Sequence, residues 1–322
     1  MNSSLVTSQT WLQNFRLYVN GVKVRWPDLY LNLVAGECVD LTLEFEYSYL
    51  IGDPESPLKL CCEPDAESLG LVCDPPFGQL VEMAEGLIEL TWHICAERES
   101  SGPFELHFEM PLYQGMPQSP PIPGTIINYE QEFDVLFDSF PVTFGAGTAF
   151  PCHGAQHTLT VRSKPSSQFL NTHAYLLIVG INPDMAFEPS LSDSQLVTQE
   201  GATWTLNCLN TSRNGEFDLK LVPQKTSLAS LPLRISLAHN LVTAEHFGGP
   251  VEGFPDYPRK LVGIRAISSF LNTPASDVEV ILVKGNDTSR PRTDAKGEHQ
   301  INVEADVYVR YSIINKYDGS TA

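Results

Sequence analysis

The sequence predicts an all-β protein built of antiparallel β-sandwich modules in tandem, and three observations carry that prediction. Between its 24 prolines and 22 glycines the 322-residue chain runs in short segments that alternate apolar and polar side chains or are rich in β-branched and aromatic residues, the pattern of half-buried strands. Helical periodicity is nearly absent, so the crossover helices of a parallel sheet are missing from the pattern. Fragments of the first third also recur, in order, in the second third, as they do in repeated modules. The length suits two or three domains of about 100 residues each, with expected boundaries 1–127, 128–240 and 241–322.

The first module opens with FRLYVNGVKVRW (15–26), where Asn20-Gly21 separates two alternating runs. That dipeptide tolerates positive φ at both positions and predicts a type I′ hairpin. In CVDLTLEFEYSYL (38–50), Val39, Leu41, Leu43 and Phe45 fall on one face and Asp40, Thr42, Glu44 and Glu46 on the other, a strand with one face buried. IELTWHIC (88–95) and FELHFEM (104–110) complete the recognisable strands of this module.

The second module reads HTLTVRS (157–163), AYLLIVGI (174–181), ATWTLNCL (202–209), FDLKLV (217–222) and LRISLAHN (233–240). SGPFELHF (101–108) is echoed by NGEFDLKL (214–221), EGLIELTWHIC (85–95) by EGATWTLNC (200–208), and DPPFGQLVEM (74–83) by EPSLSDSQLVTQ (188–199). AGECVDLTLEF (35–45) is similar to HGAQHTLTVRS (153–163), and SPPIPG (119–124) answers SLPLRI (230–235). Phe104 and Leu106, like Phe217 and Leu219, lie two apart and share a face. Each pair is expected to pack in a hairpin with the strand around Cys95 or Cys208, the two cysteines corresponding.

The glycines and prolines at 248–258 mark a linker or an irregular start to the third module. Its expected strands are DVEVILV (277–283), HQINV (299–303) and VYVRYSII (307–314), with TDAKGEHQINV (293–303) as a turn entering a strand. In this stretch Thr293, Asp294 and Gly297 form a Thr-Asp-x-x-Gly turn ahead of an alternating strand. It resembles the bacterial immunoglobulin-like repeat proteins, the class of invasin-like and intimin-like adhesins. The resemblance implies immunoglobulin-like (Ig-like) sandwiches for the modules and a role in binding, adhesion or spacing at a bacterial surface. The third module is expected to be short, or the front of a longer array.

The formal net charge is −19, from 39 acidic and 20 basic residues, which argues against nucleic acid and against anionic membranes as partners. Through Gly124 there are 18 acids against 5 bases, so the first module carries −13 of that charge. This surface suits solubility first and a cation or basic partner second. No stretch approaches the ~20 apolar residues of a membrane helix, and the N-terminus reads as no standard export signal. The expectation is an extracellular or cell-surface protein by a non-classical route in preference to a cytoplasmic one.

Seven cysteines, an odd count, suit buried free thiols. The alternative pairs Cys38 with Cys95 and Cys152 with Cys208 as inter-sheet bridges, against which the strand alignment sets Cys38 opposite Gln156. CHGAQH (152–157) brings Cys152, His153 and His157 together but has no second Cys/His pair at finger-like spacing. Cys61, Cys62 and Cys73 read as core or loop thiols. No Gly-x-Ser-x-Gly elbow, His-Glu-x-x-His or P-loop is present, and the acidic clusters at 52–55 and 63–67 lack the calcium-loop pattern.

The favoured function is therefore non-enzymatic, without cofactor or metal. A protein or glycan partner would be held by loops at the sandwich ends. The Pro-rich loops 51–57 and 111–124 are the first candidates, with Tyr113 as an aromatic anchor. The alternatives are a secreted effector or toxin component, a carbohydrate-active enzyme with an unrecognised site, or a purely structural spacer.

Overall fold

The computed structural model describes residues 11–46, 57–83, 87–112, 118–251 and 258–322. The chain divides into two compact units, Met1–Glu132 with Thr226–Leu231, and Phe133–Lys225 with Pro232–Ala322. Among the described residues regular structure is overwhelmingly β.

The first unit is a sandwich of two sheets. Its strands are β1 (Phe15–Val19), β2 (Val22–Val24), β3 (Leu31–Val34), β4 (Cys38–Phe45), β5 (Lys59–Glu63), β6 (Leu71–Asp74), β7 (Glu89–Ala96), β8 (Gly102–Glu109) and β9 (Ile122–Ile127). One sheet has the order β2-β1-β4-β7-β6 and the other β3-β9-β8-β5. All pairings are antiparallel except β3 with β9, which are parallel. The expected hairpin is present: Asn20 and Gly21 take φ of 50° and 74° between β1 and β2. Leu41, Leu43, Trp92 and Ile94 on one inner face meet Leu60, Leu106, Phe108 and Ile122 on the other, all fully buried. The ring centroids of Trp92 and Phe108 stand 5.1 Å apart across this core. Each such side chain contributes about 1.5–3 kcal/mol by leaving water.

The second unit begins with a sandwich of the same plan. Its strands are β10 (Phe133–Phe137), β11 (Phe140–Val142), β12 (Thr148–Ala149), β13 (Gln156–Ser163), β14 (Thr172–Gly180), β15 (Ala186–Glu188), β16 (Gln195–Val197), β17 (Ala202–Asn207), β18 (Gly215–Pro223) and β19 (Leu233–Leu237). The orders β11-β10-β13-β17-β15 and β12-β19-β18-β14-β16 match those of the first unit strand for strand, β16 being the addition. Register aligns them residue by residue. Leu41 opposes Trp92 as Leu159 opposes Trp204, and Phe104 opposes Gly124 as Phe217 opposes Ile235. Phe104, Leu106, Phe217 and Leu219 are all buried at matching sites.

Three expectations fail here, for the hairpins, for the matching of Cys95 with Cys208 and for free thiols throughout. β8 and β18 do not form hairpins with the strands before them: they cross to the opposite sheet and pair with β5 and β9, or β14 and β19. Cys95 and Cys208 do not correspond either. Aligning Trp92 with Trp204 sets Cys95 at Asn207 and Cys208 at Ala96, and one residue of offset turns a side chain to the other face. Cys208 is accordingly buried, whereas Cys95 faces outward. There it is bonded to Cys38, directly opposite on β4, so the first unit does hold a disulfide. The bond joins neighbouring strands of one sheet, not two sheets. The other five cysteines are free thiols.

The rest of the second unit is a smaller sandwich of β20 (Val242–Val251), β21 (Arg259–Ser268), β22 (Ile281–Lys284), β23 (Asp287–Ser289), β24 (Glu298–Glu304) and β25 (Val309–Ser312). Sheets β20-β21-β24 and β23-β22-β25 enclose Val242, Ile264, Ala266, Val280, Tyr311 and Ile313. The glycines and proline at 248–250, expected in a linker, lie inside β20 and pair with β21. A Cβ at Gly248 would stand 2.2 Å from the Leu261 carbonyl oxygen, so glycine there serves close strand approach. The turn before β24 is built as its residues imply. Thr293 Oγ1 donates to Ala275 O (2.8 Å) and accepts from Val278 N (3.0 Å). Asp294 Oδ1 accepts from Lys296 N and Glu298 N, and Gly297 takes φ +74°.

Candidate functional site

Two concentrations of polar side chains lie in the second unit, where β19 passes into β20 through only Ala238–Leu241. Asn240 is buried and donates to Pro151 O (2.8 Å) and Ser236 O (2.9 Å). Asn315 Oδ1 accepts from Val242 N at 2.7 Å. Beside them Asp138, in the turn between β10 and β11, gathers donors from three residues: His157 Nδ1 (2.5 Å), Thr158 N (2.7 Å) and Oγ1 (3.3 Å), and Tyr317 Oη (2.9 Å). His157 Nε2 accepts from Cys152 N at 2.9 Å, so the proton of the neutral ring sits on Nδ1, facing Asp138. The imidazole is 1% exposed and packs among Phe137, Phe270 and Tyr317.

Burial alone would raise the Asp138 carboxyl, but the donors from His157, Thr158 and Tyr317 outweigh it and hold the group below the usual carboxylate range. Burial and the same carboxylate push the Tyr317 phenol upward. At neutral pH the arrangement is thus a fixed anion with its donors in place. It ties the β10–β11 turn to the last turns of the chain. Cys152, His153 and His157 do not converge as ligands. His157 is engaged as described, and His153 lies between Thr211 (2.9 Å) and Asn214 (2.9 Å).

Next to this junction is a cleft of about 270 Å³ lined in part by Glu216, His239, Asp277, Glu279, Arg292 and Lys316. Its three carboxylates each have an arginine: Glu216 with Arg234 (2.5 Å), Asp277 with Arg292 (2.9 Å) and Glu279 with Arg290 (2.7 Å). The Arg234 hydrogen bond holds Glu216 below its ordinary range. Burial, with His153 nearby, takes His239 down to about 4, so it is neutral at physiological pH. Glycoside hydrolysis needs two carboxyls of opposite tuning, one raised to act as acid. The cleft instead offers ion-paired acids, two cations and an uncharged imidazole, a lining suited to polar recognition.

In the first unit Cys61, His107 and Glu109 on β5 and β8 bring their ligand atoms within 4.8 Å of one another. Lys59 Nζ already lies 2.7 Å from Glu109 Oε2, which sets a positive charge against any cation there. Cys62 and Cys73 face inward, and burial pushes their thiols up to about 11 and about 12. Tyr113 and residues 51–56 lie outside the described residues. Of the 111–124 loop, Pro120 O accepts from Trp26 Nε1 (3.3 Å) and Ser119 Oγ from Phe108 N (2.9 Å). Sequence reasoning missed the Asp138 cluster, whose members are 19 and 179 residues apart. A signal did exist: Asp138 stands where the first unit has Asn20, and both side chains accept from the facing strand, at Thr158 N and Asp40 N.

No family description and no curated protein matches the chain. Solved structures do. The Escherichia coli adhesin FdeC is similar at 11% identity and TM-score 0.29, over 96% of this chain and 93% of that one. Extracellular domains 3–5 of Drosophila OTK align at 13% identity and TM-score 0.28, over 96% of each chain. The Yersinia pseudotuberculosis adhesin InvE aligns at 14% identity and TM-score 0.24, over 84% of this chain and 72% of that one. Bacterial adhesins and extracellular domains are thus among the solved structures to which the chain is similar. Among the described residues no helix is long and apolar enough to cross a membrane.

Proposed function

We propose that the chain is a non-enzymatic, multi-domain Ig-like protein that binds or spaces at a bacterial surface. Its modules are taken as 1–127, 128–240 and 241–322, the first two as diverged copies, and its partner as a protein or glycan held by sandwich-end loops. The observation that supports this most is the junction within the second unit. Two sandwiches meet there through four residues, with Asn240, Asn315 and the Asp138–Tyr317 bond buried or half-buried between them. A frame so joined holds the loops of the second unit in a fixed direction, which reduces the ordering cost of binding there. The ion-paired cleft acids speak for recognition over catalysis. Tyr113 and the loop 111–124 remain the first surface to mutate.

The test is to display the full chain on a non-adherent bacterium and measure adhesion to immobilised glycans and extracellular-matrix proteins. The same protein is assayed for hydrolysis of a glycoside panel. Adhesion above the empty display vector, reduced by Tyr113→Ala, is expected. Glycoside turnover abolished by Glu216→Gln or Glu279→Gln would overturn the reading in favour of the carbohydrate-active alternative.

A further inference from the structure

The outward face of β4 and β7 carries a cluster that the proposed function does not use. The two strands pair in the register Cys38 with Cys95, Asp40 with His93 and Thr42 with Thr91. Alternate residues share a face, so these three pairs stand in a row. Their side chains all meet. Cys38 and Cys95 are bonded, with Cα atoms 4.0 Å apart. His93 Nδ1 lies 2.7 Å from Asp40 Oδ1, and the two threonine hydroxyls are 2.8 Å apart. Such contacts belong to the closely spaced, non-hydrogen-bonded positions of an antiparallel ladder. The ligand atoms of Cys38, His93 and Cys95 all lie within 4.8 Å of one another. On the far side of His93, β6 places Asp74. Glu44 and Glu89 form the next pair along the row, with Arg16 of β1 opposite Glu44.

We propose that Cys38, Cys95 and His93 form a zinc site that becomes available when the disulfide is reduced, so that this face carries either the bond or the metal. A dithiol reductant delivers two electrons and two protons to the S–S bond, leaving two thiols here and a disulfide on the reductant. Zinc then binds both sulfurs and displaces their two protons. Zn–S of about 2.3 Å and Zn–N of about 2.0 Å put ligand atoms of one ion roughly 3.3–3.8 Å apart. The observed cluster needs only side-chain rotation to reach that spacing. With Nδ1 held by Asp40, Nε2 is the nitrogen left for the metal, and the carboxylate fixes the ring as it does at other zinc-binding histidines. Asp40 is then a positioning residue, and Asp74 or water takes the fourth position. Unlike the Cys61 cluster, this one has, among the described residues, no lysine ion-paired with its carboxylate.

Cobalt(II) is the probe, because thiolate ligation gives a charge-transfer band that carboxylate or imidazole binding alone does not. The full chain is titrated as the disulfide and after reduction with a phosphine, which is not a thiol ligand. One equivalent bound by the reduced protein, none by the oxidised, and displacement by zinc are expected. His93→Ala should weaken binding more than tenfold and Asp40→Asn by about 10- to 100-fold, while Cys61→Ala leaves it unchanged. The His93 side chain is 55% exposed, so its removal leaves the core intact. Absence of the charge-transfer band in the reduced protein, binding unaffected by His93→Ala, equal binding by the oxidised form, or loss in Cys61→Ala would each overturn the proposal.

Discussion

Asp138→Ala removes the acceptor that three residues share, and the structure sets the size of the effect. Hydrogen bonds to a charged group contribute about 1.5–3 kcal/mol each. Those at Asp138 share one carboxylate whose side chain is 16% exposed, so they do not add. The expected loss is about 3–5 kcal/mol, the cost of breaking a buried, hydrogen-bonded charge. Tyr317→Phe deletes only the bond that reaches from the last turns of the chain and should cost about 1.5–3 kcal/mol. Because the two residues touch, the double variant should show a coupling of about 0.5–3 kcal/mol. Urea unfolding of the full chain followed by tryptophan fluorescence reads all three. Since the folded carboxyl titrates below its unfolded value, its contribution is complete above the unfolded pKa and is lost as pH falls through the folded one. The gap between wild type and Asp138→Asn should therefore be constant between about pH 5 and 8 and close below about pH 4. A Tyr317→Phe cost under about 0.5 kcal/mol with no coupling, or a gap that widens on acidification, would refute the reasoning.

Thr293→Val leaves the Ala275 carbonyl and the Val278 amide without their shared partner at a site 5% exposed, and should lower stability by about 2–3 kcal/mol in urea, with Thr293→Ser close to wild type. Gly297→Ala should cost more than about 2 kcal/mol, because left-handed φ adds about 1–2 kcal/mol and the new Cβ would stand 2.7 Å from Ala266 O. Gly21→Ala, with the same φ and no atom within 4 Å, should cost only about 1 kcal/mol in the same urea titrations. Cys38→Ser with Cys95→Ser frees a loop spanning 57 residues and should lower unfolding free energy by about 4 kcal/mol in chain-entropy terms; no change in the denaturation midpoint would contradict that.

Most of the strands were legible because one buried face imposes a period of two. Val39, Leu41 and Leu43 show it, and their counterparts Leu159 and Val161 keep it. Asn20-Gly21 and the Thr293–Gly297 turn were legible for another reason, since their backbone angles admit few residue types. What the sequence could not show was decided by partners far along the chain. A strand that turns back beside its predecessor and one that crosses to the other sheet have the same local pattern, so β8 and β18 read as hairpins. Gly248 read as a break because the carbonyl of Leu261 that excludes a side chain there belongs to another strand. The disulfide is not legible from the second sandwich, where the positions matching Cys38 and Cys95 hold Gln156 and Asn207. For the Asp138 cluster, Tyr317 lies at the other end of its unit.

The parallel pairs at the sheet margins bear on what happens when the chain is pulled. In β3 with β9, and in β12 with β19 extended by the bridge between Cys152 and Ala238, an early strand of the sandwich runs beside the last one in the same direction. Tension that reaches the start of the early strand and the end of the last one draws the two past each other along their length. Every cross-link of the pair then resists together, where an antiparallel margin would peel open one link at a time. A margin so closed resists a load along its strands better than an antiparallel margin would.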